Sequence, residues 1–169
     1  MTQIGLLSDT HGWLDKRIFE HFAQCDCIWH AGDIGSVEVL EQLQNFKPTR
    51  AVFGNIDGYD LRYRLPEIDR FKCEDVDVFM THIGGYPGNY DIRVRNKIYA
   101  MPPKLFICGH SHILKVKYDQ RLGLLHLNPG AAGKQGFQLV QTLMRFSIDG
   151  DKIENLEVIE LGEKHVIKH

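Results

Sequence analysis

Five short polar clusters punctuate this chain of 169 residues: Ser8-Asp9-Thr10-His11-Gly12, His30-Ala31-Gly32-Asp33, Gly54-Asn55-Ile56-Asp57, Thr81-His82 and Gly109-His110-Ser111-His112. Their metal-capable side chains are Asp9, His11, Asp33, Asn55, His82, His110 and His112, a set of imidazoles, carboxylates and one amide with no thiolate. Seven donors are too many for one tetrahedral ion. Two ions with four ligands each, sharing one carboxylate, use all of them. Mixed nitrogen and oxygen ligation without sulfur selects Mn, Fe, Ni, Co or Zn and argues against an iron–sulfur cluster or a structural cysteine zinc site. Asp-x-His and His-x-His are effective spacings, because alternate side chains of an extended segment point to one side. The adjacent glycines let the backbone approach the ions without a Cβ in the way.

The elements that must position these groups are readable in the first half. Gln3 to Ser8 is a short apolar run that reads as a buried parallel strand. Leu14 to Gln24 carries Leu14, Ile18 and Phe22 at four-residue spacing, the face of a helix, and Asp26 to His30 is a second strand. Ser36 can cap a helix with Val37, Leu40 and Leu43 on one face, and Thr49 to Phe53 is a third strand. Strand, helix, strand, helix, strand is the order of a parallel sheet covered by helices. In such sheets ligands gather beyond the carboxyl ends of the strands, so five clusters at strand ends should converge on one crevice.

After Gly58 the expected strands are Arg70 to Cys73, Val76 to His82, Leu105 to Cys108, Ile113 to Tyr118, Leu124 to Leu127, Phe137 to Ser147 and Ile153 to Leu161. Asp91 to Met101 reads as a helix stopped by Pro102 and Pro103. The pattern predicts one domain over residues 1–169, a layered α/β sandwich whose second sheet is mainly antiparallel.

Composition narrows the function classes. Hydrophobic residues make up 43% and charged residues 25%, as in an ordinary globular chain. Twenty Lys and Arg against 22 Asp and Glu leave a net charge of −2, without the basic excess that a duplex-binding surface uses to release counterions. No apolar run approaches the roughly 20 residues that span a bilayer, and no secretory leader pattern opens the chain. Cys25, Cys27, Cys73 and Cys108 form no CxxC pair and read as reduced thiols. The expectation is a cytoplasmic protein that engages neither membrane nor extended nucleic acid, with homo-oligomerisation left open.

Asp9-x-His11, Gly32-Asp33, Gly54-Asn55-x-Asp57, His82 and Gly109-His110-x-His112, in that order, resemble the calcineurin-like metallophosphoesterase superfamily. The short length and the Asn128-Pro129-Gly130 turn look like its compact bacterial and archaeal phosphodiesterase branch. The resemblance implies a four-layer α-β-β-α sandwich of two mixed sheets flanked by helices. It also implies two divalent cations, Mn foremost, with Asp9, His11 and His112 on one, Asn55, His82 and His110 on the other, and Asp33 bridging. A hydroxide between the ions would then attack a small phosphodiester, with Asp33, Asn55 and His82 at the catalytic centre. Many relatives carry a His directly after the metal-binding Asn, where it protonates the leaving group. Here that residue is Ile56, as compact relatives also lack the His, and Asp57 becomes a supporting or turn residue.

Two other readings stay open. A protein-interaction scaffold, like the retromer subunit that resembles this fold, would have no need of seven retained donors. A phosphomonoesterase would use the same ions. Among the remaining residues, His30 reads as packing that can orient Asp33, while His21, His126, His165 and His169 carry no assigned role. Trp13 could line the pocket mouth or pack at a helix start, and Gly84 to Gly88 reads as a loop near the second ion. Arg93, Arg95 and Lys97 read as a solvated helix face able to steer an anionic substrate.

Overall fold

The computed structural model describes residues 1–136 and 140–163. The elements are β1 (Thr2–Leu7), α1 (Arg17–His21), β2 (Cys27–His30), α2 (Val37–Phe46), β3 (Thr49–Ala51), α3 (Tyr59–Arg64), β4 (Ile68–Cys73) and β5 (Val76–Thr81). There follow β6 (Gly85–Tyr86), β7 (Asn89–Tyr90), α4 (Arg95–Ala100), β8 (Leu105–Ile107), β9 (Lys115–Asp119), β10 (Leu124–Asn128), β11 (Val140–Asp149) and β12 (Lys152–Glu163). Two five-stranded sheets carry the fold, ordered β12-β11-β1-β2-β3 and β4-β5-β8-β10-β9. Strands β6 and β7 form a separate small hairpin.

Three apolar clusters show the layering. Because side chains alternate along a strand, each sheet buries one face against its partner sheet and the other against helices. Between the sheets, Ile4, Leu6 and Trp29 of the first pack on Val78, Met80, Leu105 and Ile107 of the second. The intervening residues Leu7 and Ile28 face the other way, toward Ile18, Leu40, Leu43 and Leu61 of α1, α2 and α3. Phe79 and Phe106 likewise turn outward, against Val94 and Ile98 at α4. Removing each fully buried Leu, Ile or Phe side chain from water contributes about 1.5–3 kcal/mol. Helix, sheet, sheet and helix are thus held together at three interfaces, as the resemblance implies.

Several elements differ from their sequence expectation. The second sheet is mixed, not mainly antiparallel: β5, β8 and β10 run parallel, with β4 and β9 antiparallel at its edges. The last two strands leave it altogether, since β11 pairs antiparallel with β1 and closes the first sheet. Helix α1 is much shorter than Leu14 to Gln24, because Asp15 caps a turn through the Arg17 N–H and the preceding residues bond to the loop after β2, Gly12 N–H to Ile34 O at 2.7 Å. Ile18 and Phe22 still point into the core. Helix α4 begins only at Arg95, because Asp91 O accepts from both Val94 and Arg95 and holds the chain in a turn. Helix α3 has only Leu61 buried, so no apolar period announces it. Ser36 caps α2 as expected, accepting from the Val39 N–H.

The expected strand start at Phe137, and His165 and His169, lie outside the described residues. The four cysteines are unpaired. Among the described residues no helix is long and apolar enough to cross a membrane.

Candidate metal centre

Strands β1, β2 and β3 run parallel in one sheet, as do β5, β8 and β10 in the other. Their carboxyl ends place all five polar loops together, and backbone hydrogen bonds tie neighbouring loops: Asp9 N–H to Gly32 O at 2.9 Å, His11 N–H to Asp33 O at 3.0 Å, Gly109 N–H to His82 O at 3.0 Å. Five of the seven candidate ligands adopt left-handed backbone, with φ of 55° at Asp9, 50° at His11, 55° at Asp33, 72° at His110 and 63° at His112. Asp, Asn and His tolerate this region better than other non-glycine residues, yet each such position costs of order 1–3 kcal/mol. The chain accepts that cost where it turns side chains inward.

The inward atoms form two groups, Asp9 with His11 and His112, and Asp33 with His82 and His110; within each, the ligand atoms lie within 4.8 Å of one another. His112 Nε2 stands 3.2 Å and His11 Nε2 3.7 Å from Asp9 Oδ1. Asp33 Oδ2 lies 3.1 Å from His82 Nε2 and 3.5 Å from His11 Nε2, between the two groups. Ligands bonded at 2.0–2.2 Å to one tetrahedral ion stand roughly 3.3–3.6 Å apart, so these spacings suit shared ions. Asn55 Oδ1 is 3.0 Å from His110 Nδ1, which brings the seventh residue to the second group.

Each carboxylate presents one oxygen inward and anchors the other. Asp9 Oδ2 accepts from Ser8 Oγ at 2.7 Å and from the His110 N–H at 3.1 Å, while Oδ1 faces the histidines. Asp33 Oδ1 accepts from the Ile56 N–H at 3.0 Å and leaves Oδ2 free for the centre. His82 Nδ1 donates to Ala31 O at 2.8 Å, so its Nε2 lone pair points inward, the outer contact that metal-ligating histidines commonly make.

Asp9 Oδ1, His11 Nε2 and His82 Nε2 are buried without any hydrogen-bond partner. Orphaned buried atoms of this kind are costly and point to a missing occupant. Burial would raise the Asp9 carboxyl, but the close imidazoles of His11, His112 and His82 hold it well below the carboxylate range. Asp33 is likewise depressed: burial opposes ionisation and the close His82 ring outweighs it. Burial acts to lower His82, yet Asp33 and Asp9 raise it above the ordinary histidine value. Two buried anions ringed by imidazole nitrogens are a donor set that divalent cations would neutralise and bind. The residues therefore fit two such ions.

The supporting contacts are less visible in the sequence. Asp57 is buried, and its carboxylate accepts from Gly54 N–H and Gly35 N–H at 2.8 Å and from Ile34 N–H at 3.2 Å, clamping the loop after β3 to that after β2. Arg62 on α3 stacks on Phe53 and donates to Asp57 O at 2.6 Å and Asn55 O at 3.2 Å. Asn128 Nδ2 donates to Gly109 O and Ser111 Oγ, both at 3.1 Å, and thereby shapes the His110-x-His112 loop. The glycines act differently from expectation. A Cβ at Gly54 would strike Asp33, and one at Gly109 would strike Ser8 and Asp9, so they make room for the ligand side chains themselves.

His30 Nδ1 accepts from the Gly32 N–H at 3.1 Å, so the neutral ring donates from Nε2 to Thr10 Oγ1 at 3.0 Å; it ties two loops and does not touch Asp33. Trp13 lies beneath Lys134 at 4.0 Å. Arg93 precedes α4 and pairs with Asp91 at 3.2 Å; Arg95 donates to Tyr90 O; Lys97 lines a cavity beside Asn55 and His82. Gly85-Tyr86 and Asn89-Tyr90 form a hairpin, not a plain loop. His126 is buried, its ring against Phe106.

Burial pushes both His30 and His126 down to about 4 from 6.5. A base whose folded pKa is depressed takes up protons more readily unfolded, so this stability is complete above pH 6.5 and is lost as pH falls toward 4. The loss is about 3 kcal/mol for each ring. His82, with the opposite shift, has its full contribution below pH 6.5, and Asp9 and Asp33 keep theirs above pH 3.8, so none of the three offsets the loss in this window. Denaturant unfolding of chelator-stripped protein at pH 7 and 4.5 should show a drop of several kcal/mol, about halved in His126→Phe. A pH-independent midpoint would contradict this account.

Comparison with known proteins shows the family of the chain. The calcineurin-like phosphoesterase superfamily domain matches residues 2–151. The chain belongs to this superfamily. A Methanocaldococcus jannaschii protein named "probable metallophosphoesterase" is 30% identical over 157 residues, covering 89% of this chain and 78% of its own length. A structure described as a novel archaeal phosphodiesterase aligns with a TM-score of 0.75 at 22% identity, covering 94% of this chain and 99% of that one. The Entamoeba histolytica Vps29 structure complexed with Zn²⁺ has a TM-score of 0.70 at 17% identity over 96% and 99% of the two chains. The solved structures share the α/β fold of two mixed five-stranded sheets with flanking helices.

Proposed function

We propose that this phosphoesterase hydrolyses small phosphodiesters with two divalent cations, Mn first among Mn, Ni, Fe, Co and Zn. The observation that carries the reading is the convergence of Asp9 Oδ1, His11 Nε2 and His82 Nε2, buried and unpartnered, around the inward oxygen of Asp33. The described archaeal phosphodiesterase supports the diester choice. Asp9, His11 and His112 would hold one ion and Asn55, His82 and His110 the other, with Asp33 between. Two divalent cations held by these residues would supply Lewis acidity toward phosphoryl oxygens and activation of water near neutral pH.

The chain's own residues set the rest. Ser8 and the His110 N–H fix the Asp9 carboxylate, and the Ile56 N–H fixes Asp33, so little rearrangement is needed when the substrate enters. Asn55 and His110 are exposed while Asp9, Asp33 and His82 are buried, so the ester approaches from the Asn55 side. Ile56 offers no proton there. Since general acid catalysis contributes about 10² to 10⁴ in rate, hydrolysis should favour esters whose alcohols leave as stable anions.

The test is hydrolysis of bis-p-nitrophenyl phosphate with added Mn²⁺, comparing wild type and His82→Ala, followed by a series of substituted phenyl esters. The expected result is metal-dependent turnover, lost in the variant and falling steeply as the leaving phenol becomes more basic. Equal rates in both proteins would end the reading. Inactivity with every ester, together with capture of a protein partner, would favour a scaffold.

A further inference from the structure

Two cavities flank the candidate centre on its exposed side, sharing Asn55, Ile83 and Arg93 as a divider. The smaller, about 250 Å³, is lined by Arg62, Glu67 and Lys97. The larger, about 540 Å³, is lined by Tyr86, Ser111, Ile113, Lys115 and His126. A phosphodiester differs from a monoester in carrying a second organic arm, so space on both sides of Asn55 accommodates what a monoester lacks.

The larger cavity has a particular chemistry. Tyr86 is 43% and Ile113 60% exposed, which leaves aromatic and branched apolar surface in the lining. Lys115 lies 4.1 Å from the Tyr86 ring centroid and makes no ion pair among the described residues. His126 is only 1% exposed, and its Nδ1 has no hydrogen-bond partner. Ser111 Oγ accepts from Ile113 N–H and Asn128 Nδ2, so its own hydrogen remains to be donated. The His126 ring is kept neutral by burial and offers a hydrogen bond, not a charge. An exposed aromatic ring and branched apolar side chains together with neutral hydrogen-bonding groups suit a planar heteroaromatic group better than an alkyl chain or a bare anion, and the volume is that of a small-molecule site.

We propose that this cavity seats one arm of the phosphodiester, and that the arm is a planar heteroaromatic group of nucleoside type, stacked on the face of Tyr86 opposite Lys115 with its edge toward His126 and Ser111. The assignment rests on the phosphodiesterase reading. It makes Tyr86 and His126 specificity-determining residues, whereas the metal-capable residues determine only the reaction.

The test compares three esters that release the same p-nitrophenolate from the Mn-loaded enzyme: the thymidine 5′, phenyl and methyl esters of p-nitrophenyl phosphate. The thymidine ester should exceed both others in kcat/KM by about tenfold, the order expected for stacking a base on an aromatic ring. Tyr86→Ala and His126→Phe should each bring the thymidine-to-methyl ratio near one. Tyr63→Ala, on the exposed face of α3 and lining neither cavity, should keep the wild-type ratio. In parallel, thymidine alone is titrated into the full-length protein while the His126 ring nitrogens are followed by NMR; they should shift, and Tyr86→Ala should weaken the response. Equal kcat/KM for the three esters, or a phenyl arm as good as thymidine, would overturn the assignment while leaving the phosphodiesterase reading intact. Absence of hydrolysis with all three, alongside a shift of the His126 nitrogens, would overturn the reaction and leave the pocket standing.

Discussion

Asp33→Ala should lower Mn-dependent diester hydrolysis by about 10³-fold or more and reduce the bound metal from two equivalents to one or none. The inward oxygen of Asp33 stands 3.5 Å from His11 and 3.1 Å from His82, one histidine of each group, and is nearer to both than the Asp9 oxygen, which lies 3.7 Å and 3.8 Å from the same two rings. Removing it takes away a negative charge and leaves only the more distant Asp9 oxygen between the two groups. Asp33→Asn separates charge from shape, because its carbonyl can still accept from the Ile56 N–H and preserve the loop. It should be nearly as inactive as the alanine variant, since an amide adds no charge to offset two cations. Without metal, Asp33→Ala should unfold below the wild-type midpoint, because it leaves the Ile56 N–H and His82 without their partner, and Asp33→Asn, which keeps the Ile56 bond, should lose less. Elemental analysis, the p-nitrophenolate assay and denaturant titration check the three statements. Two retained equivalents with a rate within tenfold of wild type would remove Asp33 from the shared position.

Asp57→Ala should be the most destabilising of these single changes, by about 3–6 kcal/mol in urea unfolding. The carboxylate satisfies three backbone donors, on Gly54, Gly35 and Ile34, in a nearly water-free position. Each donor left buried and unpaired costs about 1–3 kcal/mol, water entry recovering part of it. Asp57→Asn keeps one acceptor oxygen and should lose roughly half as much. Metal affinity should fall in step, because the two loops joined by Asp57 carry Asp33 and Asn55. A variant within 1 kcal/mol of wild type that bound metal normally would show that the loops hold their shape without this clamp.

The residues that could be named from sequence are those whose chemistry is local. Asp9-x-His11, Gly32-Asp33 and His110-x-His112 announce themselves because carboxylate and imidazole groups at short spacing after apolar runs have few other uses. Helix α2 was equally legible, its cap and apolar face lying within a dozen residues of one another. Asp57 was placed as a supporting residue, but its three partners were not, because two of them follow a different strand. His126 looked like any histidine inside a strand. Its role in the cavity depends on Tyr86, about forty residues earlier, and on a hairpin too short for periodicity to reveal.

The order and identity of the metal-capable side chains, and hence the class of chemistry, were written in the primary structure, since coordination depends first on donor atoms. Tertiary structure alone decided which oxygen of each aspartate faces inward, that the last two strands close the first sheet, and what shape the cavity beside Asn55 takes. Those outcomes depend on hydrogen bonds and packing between segments a hundred residues or more apart, as in the His110 N–H that orients Asp9 and the pairing of Thr2 with Ile148. No window along the chain contains both partners of such a contact.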